Sequence, residues 1–160
     1  QLPAIVAVVW AIFWAVGRFT SQEGREAARY VMDVALSPPT GLIVLIQIIM
    51  VLAGLGVELD VIKIVGIGIG LMLVALGNVM PKSRPNGVAG IRIPTTMRSA
   101  SNWQATHRLA GWLTIVGGLV LIVASVFVGP PMLIVWLIAC ALGPLVIGSI
   151  YSIIIARRAA

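Results

Sequence analysis

Residues 77–111 read GNVMPKSRPNGVAGIRIPTTMRSASNWQATHRLAG, a polar stretch that lies between long apolar runs. The whole chain is 60% hydrophobic and only 10% charged, whereas about a quarter of the residues in a soluble domain are charged. The polar stretch contains five basic residues and no Asp or Glu. This contrast predicts a membrane protein in which one basic loop separates two groups of spans.

The apolar runs on either side set the architecture. A bilayer core about 30 Å thick needs about 20 mostly apolar residues per helix. Four runs meet or approach that length, at 40–57, 61–80, 109–128 and 132–156, and a fifth at 2–16 is shorter. We predict an all-α fold, a polytopic transmembrane helical bundle of five spans forming a single membrane domain over 1–160. An interfacial helix is expected over 17–37, and an ordered cytoplasmic loop, the signature loop, over 81–108.

The short first run has two explanations. At about 1.5 Å per residue it covers only about 22 Å, and the sequence opens on Gln1, so we expect a further segment to precede it. A first span that tilts in a locally thinned bilayer is the alternative.

Basic residues are divided very unevenly between the two sides of the predicted bundle. Of 11 Lys and Arg residues, only Lys63 falls on one side, and the others follow the first, third and last spans. Basic loops stay in the cytoplasm. We therefore expect the signature loop and the C-terminus inside, and the N-terminus of this chain outside.

The sequence argues against ion coupling and against catalysis. All five acids lie in loops or at span ends, whereas ion-coupled carriers bury ionisable groups within their spans. His107 has no carboxylate near it in the sequence, and the motifs CxxC, HExxH and GxSxG are absent. Glu58 and Asp60 could grip a cation but more often form a solvated turn. We predict no enzyme, no catalytic residue, no metal site and no cofactor.

The signature loop carries the turn chemistry of a folded segment. Pro81 is expected to end the third span, Gly90 to permit close backbone approach, and Pro94 to fix an extended segment. Ser101 and Gln104 fit a capping box at the start of the next helix. The loop is therefore expected to form a hydrogen-bonded cap on the bundle.

Two polar residues and several glycines are expected to hold this end together. Asn78 and His107 lie at the cytoplasmic ends of their helices, so each should bond to the other or to the loop backbone. Glycines at small-xxx-small spacing permit close helix approach. Gly66 and Gly70 in the third span have this spacing. In the last span Pro144 predicts a bend, at which Gly143 and Gly148 are expected to let neighbouring helices pack.

Short motifs give this region a specific resemblance. The sequence reads GN at 77, PK at 81, PN at 85, GIR at 90, Pro94, Trp103, THR at 106 and Gly111. It resembles the SdpI-like family, bacterial membrane proteins named for immunity to a secreted sporulation-delaying peptide toxin. It departs from the family pattern after Pro94, where Thr95 and Thr96 replace an aromatic residue and Thr. The residues expected to bind a partner are Asn78, Pro81, Lys82, Asn86, Gly90, Arg92, Pro94, Trp103, His107 and Arg108.

The resemblance implies a multi-pass protein of the bacterial inner membrane, usually with six spans. It implies immunity to, or sensing of, a membrane-active peptide toxin through binding. The expected partners are membrane lipids, a peptide toxin, and a cytoplasmic regulator or larger membrane complex, with no direct nucleic-acid contact. Two other hypotheses stay open. One is an accessory structural subunit that docks through small-residue faces, and the other is a lipid- or phosphate-handling membrane protein acting at the basic loop.

Overall fold

A computed structural model describes residues 36–86 and 89–158, together with seven helical positions between residues 7 and 18. The predicted first span at 2–16 and the interfacial helix at 17–37 therefore lie largely outside the described residues. Within the described part the helices are α1 (Ser37–Gly54), α2 (Val61–Val79), α3 (Pro94–Met97), α4 (Ala100–Phe127) and α5 (Pro130–Arg158). A 3-10 turn, Met80–Lys82, follows α2.

Four of these helices, α1, α2, α4 and α5, are long and apolar enough to cross a membrane. The described residues contain no strand. The predicted all-α transmembrane fold is thus confirmed. Helix α5 is continuous through Pro144.

Helix α4 begins earlier than its apolar run because a serine caps it. Ser99 has an extended backbone, and its hydroxyl accepts the N–H of Asn102 at 3.2 Å. The predicted capping box of Ser101 and Gln104 is wrong. Ser101 already lies inside the first turn, and the amide of Gln104 instead donates to the carbonyl of Pro81 at 2.8 Å.

Helices α2 and α4 run antiparallel along a seam of glycines. A Cβ atom at Gly118 would lie 2.6 Å from the carbonyl oxygen of Gly70, and one at Gly111 would lie 2.6 Å from that of Gly77. The contacts recur after seven residues on each helix, about two turns. Since a methyl group would not fit at either level, glycine sets the distance between these backbones.

The other predicted glycine contacts have mixed outcomes. Gly66 packs against Ser125 of α4, and Gly148 packs against Ala110 and Ile91. A Cβ atom at Gly143 would have no neighbour within 4 Å, so the expectation that it packs at the bend is wrong. Helix α5 approaches α4 through Gly148, and this contact brings α5 beneath the signature loop.

Candidate functional site

His107 lies at the centre of the cap, where the signature loop crosses the first turns of α4. Its side chain is 1% exposed. Nε2 accepts the backbone N–H of Ile91 at 2.9 Å, and Nδ1 lies 2.9 Å from the carbonyl oxygen of Trp103. Only a neutral imidazole that carries its proton on Nδ1 satisfies both contacts. The predicted bond between His107 and the loop backbone is therefore present.

Trp103 forms the second half of the same cluster. It is fully buried, and its ring stacks on His107 with the centroids 4.0 Å apart and the planes 17° apart. Its indole N–H points at both the carbonyl and the hydroxyl oxygen of Ser83, each at 3.2 Å. Trp103 thus fastens the beginning of the loop, while His107 fastens the middle.

Gly90 is required at its position for two reasons. Its φ is +112°, in a region of backbone conformation that residues other than glycine rarely adopt. A Cβ atom there would also collide with Nε2 of His107 and lie 3.2 Å from the Trp103 ring. The expected close backbone approach at Gly90 is thus an approach to the two stacked rings.

Arg92 stands on a segment whose backbone is bonded on both sides. Ile91 is buried. Its N–H donates to His107, and its carbonyl accepts the hydroxyl of Thr96 at 2.7 Å. The N–H of Ile93 donates to the same Thr96 hydroxyl oxygen at 3.1 Å. Ile93 itself is extended, as expected before Pro94, which then opens α3. The Arg92 side chain is exposed on this braced segment.

Four polar side chains form a second cluster, here called the clasp: Thr95, Asn102, Thr106 and Ser152. The Ser152 hydroxyl donates to Oδ1 of Asn102 at 2.7 Å and lies 2.6 Å from the Thr95 hydroxyl. The Asn102 amide donates to the Ser152 carbonyl at 3.0 Å, and the Thr106 hydroxyl donates to Asn102 at 3.0 Å. The clasp joins α3, α4 and α5, and sequence reasoning missed it.

The clasp left a weak signal in the sequence. Asn102 and Thr106 are four residues apart, so they lie on one face of α4. Ser152 is one of two serines in the last, largely apolar run. A buried polar group needs a partner, so a search for partners of the Asn102 face would have led to Ser152.

Asn78 does not join the cap. It is exposed, and no hydrogen bond connects it with His107, whose ring nitrogens already have other partners. The expectation that the two residues meet is wrong. The reason is helical phase: Gly77 faces α4, so the next residue, about 100° further round the helix, points away.

The remaining predicted residues divide between framework and surface. Asn86 is buried, and its side chain bonds to the backbone on both sides of it. Its amide donates to the carbonyl of Arg84 at 2.8 Å, and its Oδ1 accepts the N–H of Ala89 at 2.9 Å. Pro81 packs against Gly111. Lys82 and Arg108 are exposed.

The surface of the cap is basic. The five basic residues of the signature loop are all exposed and have no described ion-pair partner: Lys82, Arg84, Arg92, Arg98 and Arg108. The sequence has no acid after Asp60. Among the residues that the structure describes, the cap therefore combines a neutral, hydrogen-bonded interior with a positively charged surface.

The turn between α1 and α2 carries the ion pair that the described residues do contain. Asp60 accepts the backbone N–H of Lys63 at 3.1 Å and pairs with its ammonium group at 3.3 Å. The backbone hydrogen bond, followed by the Lys63 side chain, lowers the pKa of Asp60. Asp60 thus acts as the N-cap of α2. Within the described ranges, no three side chains that could bind a metal ion come together.

Fold and cap together define a class: a helical membrane protein closed at one end by a folded basic loop. The model of the SdpI/YfhL protein family matches residues 82–155. That segment includes most of the signature loop and all of the clasp. The resemblance to the SdpI-like family that the sequence motifs indicated is therefore confirmed.

A curated relative matches most of the chain. The chain is 26% identical over 148 residues to the immunity protein SdpI of Bacillus subtilis (strain 168), which covers 92% of this chain and 71% of that protein. No solved structure matches the chain. The chain is thus similar over most of its length to an immunity protein.

Proposed function

We propose that the protein gives immunity to, or senses, a membrane-active peptide toxin, and that it does so by binding through the signature loop. The homologous immunity protein SdpI supports the immunity role. The exposed basic cap supports recognition of an anionic group, since guanidinium groups bind carboxylates and phosphates in a fixed bidentate geometry.

The bracing of Arg92 carries the proposal. Its two neighbours are held by bonds to His107 and Thr96, so the backbone beneath Arg92 is already in place before a partner arrives. A preorganised contact loses less entropy on binding than a mobile one. The structure of the loop thus favours Arg92 among the exposed cations as the residue that meets the partner.

We further propose that the cap faces the cytoplasm of a bacterial inner membrane and that the N-terminus of this chain lies outside. The clasp brings the end of α5 beside the loop, so Arg157 and Arg158 lie at the same end as the loop arginines. Lys63 lies at the opposite end of α2. This distribution agrees with the positive-inside rule.

Binding is favoured over catalysis by the state of His107. Both ring nitrogens already have partners inside the cap, so this imidazole is not available as a general base without opening the loop. The accessory-subunit hypothesis relied on glycine faces for docking. Gly70 and Gly77 are instead occupied by α4 of the same chain, which removes part of that surface, although Gly143 of α5 still faces open space.

The test is protection of a sensitive bacterium that expresses the protein and is exposed to membrane-active peptides encoded near its gene. Arg92→Ala should weaken protection at unchanged membrane abundance. Arg92→Lys should restore part of it if charge alone matters, and little if bidentate geometry matters. Arg157→Ala is the control, because this residue should act only through topology. Full protection by an abundant Arg92→Ala protein would remove Arg92 from the mechanism.

A further inference from the structure

A groove with a volume of about 550 Å³ lies at the capped end of the bundle, between α3, the first turns of α4 and the last turns of α5. This volume is in the range of small-molecule sites, roughly 300–1,000 Å³. The groove lies beside the clasp, since Thr95 and Asn102 form part of its wall. It does not include Arg92 or the His107 ring among its lining residues.

The rim of the groove is polar and positively charged. Arg98 and Ser101 line it with exposed side chains. The Ser99 hydroxyl already accepts the N–H of Asn102 and lies 2.9 Å from the Ser101 hydroxyl. Arg98 has no described ion-pair partner, and no acid lines the groove. Within the described part of the chain, the rim thus presents a guanidinium group without an ion-pair partner beside hydroxyl groups.

Beside Thr95, Asn102 and Tyr151, the wall of the groove has an apolar part. Ala105 contributes to it from α4, and Ile155 and Ala156 contribute from α5. Both helices are of membrane-spanning length and apolar composition. The groove therefore passes from a cationic rim to a hydrocarbon wall, which is the polarity profile of an amphiphile with an anionic head.

We propose that this groove binds an anionic phospholipid from the surrounding leaflet. Arg98 takes the phosphate, Ser101 adds a hydroxyl donor, and an acyl chain lies along Ile155 and Ala156. Basic pockets between membrane helices on the cytoplasmic side are suited to such headgroups. The site is separate from the toxin-binding role proposed for Arg92, so either can fail while the other holds.

The experiment measures lipid binding to the purified full chain by native mass spectrometry in mild detergent. Phosphatidylglycerol and phosphatidylcholine with identical acyl chains are titrated in parallel. The variants are Arg98→Ala, Arg98→Lys, and Ala156→Trp, which fills the groove without a change in charge. Arg84→Ala is the matched control, because Arg84 is an exposed arginine of the same loop that does not line the groove.

Phosphatidylglycerol should bind more tightly than phosphatidylcholine. Arg98→Ala should weaken that binding by about tenfold, the effect of losing one charge-assisted contact, and Arg84→Ala by less than about twofold. Ala156→Trp should also weaken it. Equal effects of Arg98→Ala and Arg84→Ala would reduce the observation to diffuse surface attraction and overturn the site. Displacement of the lipid by millimolar inorganic phosphate would overturn the assignment to a lipid rather than a free anion, and persistence of the lipid would support it.

Discussion

Replacement of His107 by alanine tests the cap at its most enclosed point. The substitution removes the acceptor of the Ile91 N–H, which is itself buried, and removes the ring that stacks on Trp103. It also leaves the space in front of Gly90 unfilled. All three losses fall on the same few residues of the loop.

The magnitude follows from these contacts. A buried N–H without a partner costs about 1–3 kcal/mol, and a stacked ring pair contributes about 0.5–1.5 kcal/mol beyond its area. Together they amount to about 2–4 kcal/mol of the free energy of unfolding. For a chain of this size the melting temperature should fall by about 5–15 °C.

The assay is the melting curve of the purified protein followed by tryptophan fluorescence. His107→Gln should recover part of the loss, because its amide oxygen can reach the Ile91 N–H while the stacking stays lost. Arg108→Ala is the control, since the neighbouring side chain is exposed and should shift the melting temperature by less than about 2 °C. A His107→Ala protein with the same melting temperature as the wild type would refute the hydrogen-bonded cap. A Gln variant no better than Ala would show that the Ile91 bond contributes little.

Three further predictions follow from the seam, the clasp and the basic surface. Gly118→Ala should lower the free energy of unfolding by about 1–3 kcal/mol, because the added methyl group would lie 2.6 Å from a backbone oxygen of α2. Gly143→Ala should not lower it, because the space there is open, and equal losses in the two variants would contradict the seam. Ser152→Ala should speed tryptic cleavage within the signature loop, and an unchanged rate would count against the clasp. In a cysteine-free background, a cysteine at Glu58 should react with an impermeant reagent outside intact cells and one at Ala100 should not. External labelling at Ala100 would reverse the proposed orientation.

The sequence predicted those features that depend on local chemistry. Apolar run length is enough to place membrane helices, and the φ restrictions of glycine and proline are properties of single residues. Gly90 and Pro94 were therefore interpreted correctly. Local sequence patterns do not predict which residues Gly90 contacts. These are the rings of His107 and Trp103, which lie more than ten residues further along the chain.

The wrong predictions concern choices between equivalent local patterns. Ser99 and Ser101 are both suitable caps, and the extended backbone after α3 selects Ser99. Asn78 was placed at the correct end of its helix but on the wrong face, because the phase of α2 is set by its packing on α4. The clasp required the register between α4 and α5, which brings together residues 50 positions apart.

That separation of 50 positions sets an order in biogenesis. When α4 emerges from the ribosome, the Thr106 hydroxyl can already donate to Asn102, and the loop can already bond to His107 and Trp103, because all of these residues precede α5. The Asn102 amide gains its acceptor, the Ser152 carbonyl, only after α5 has been translated and inserted. The bonds of the clasp to α5 are therefore the last ones that this end of the bundle can form.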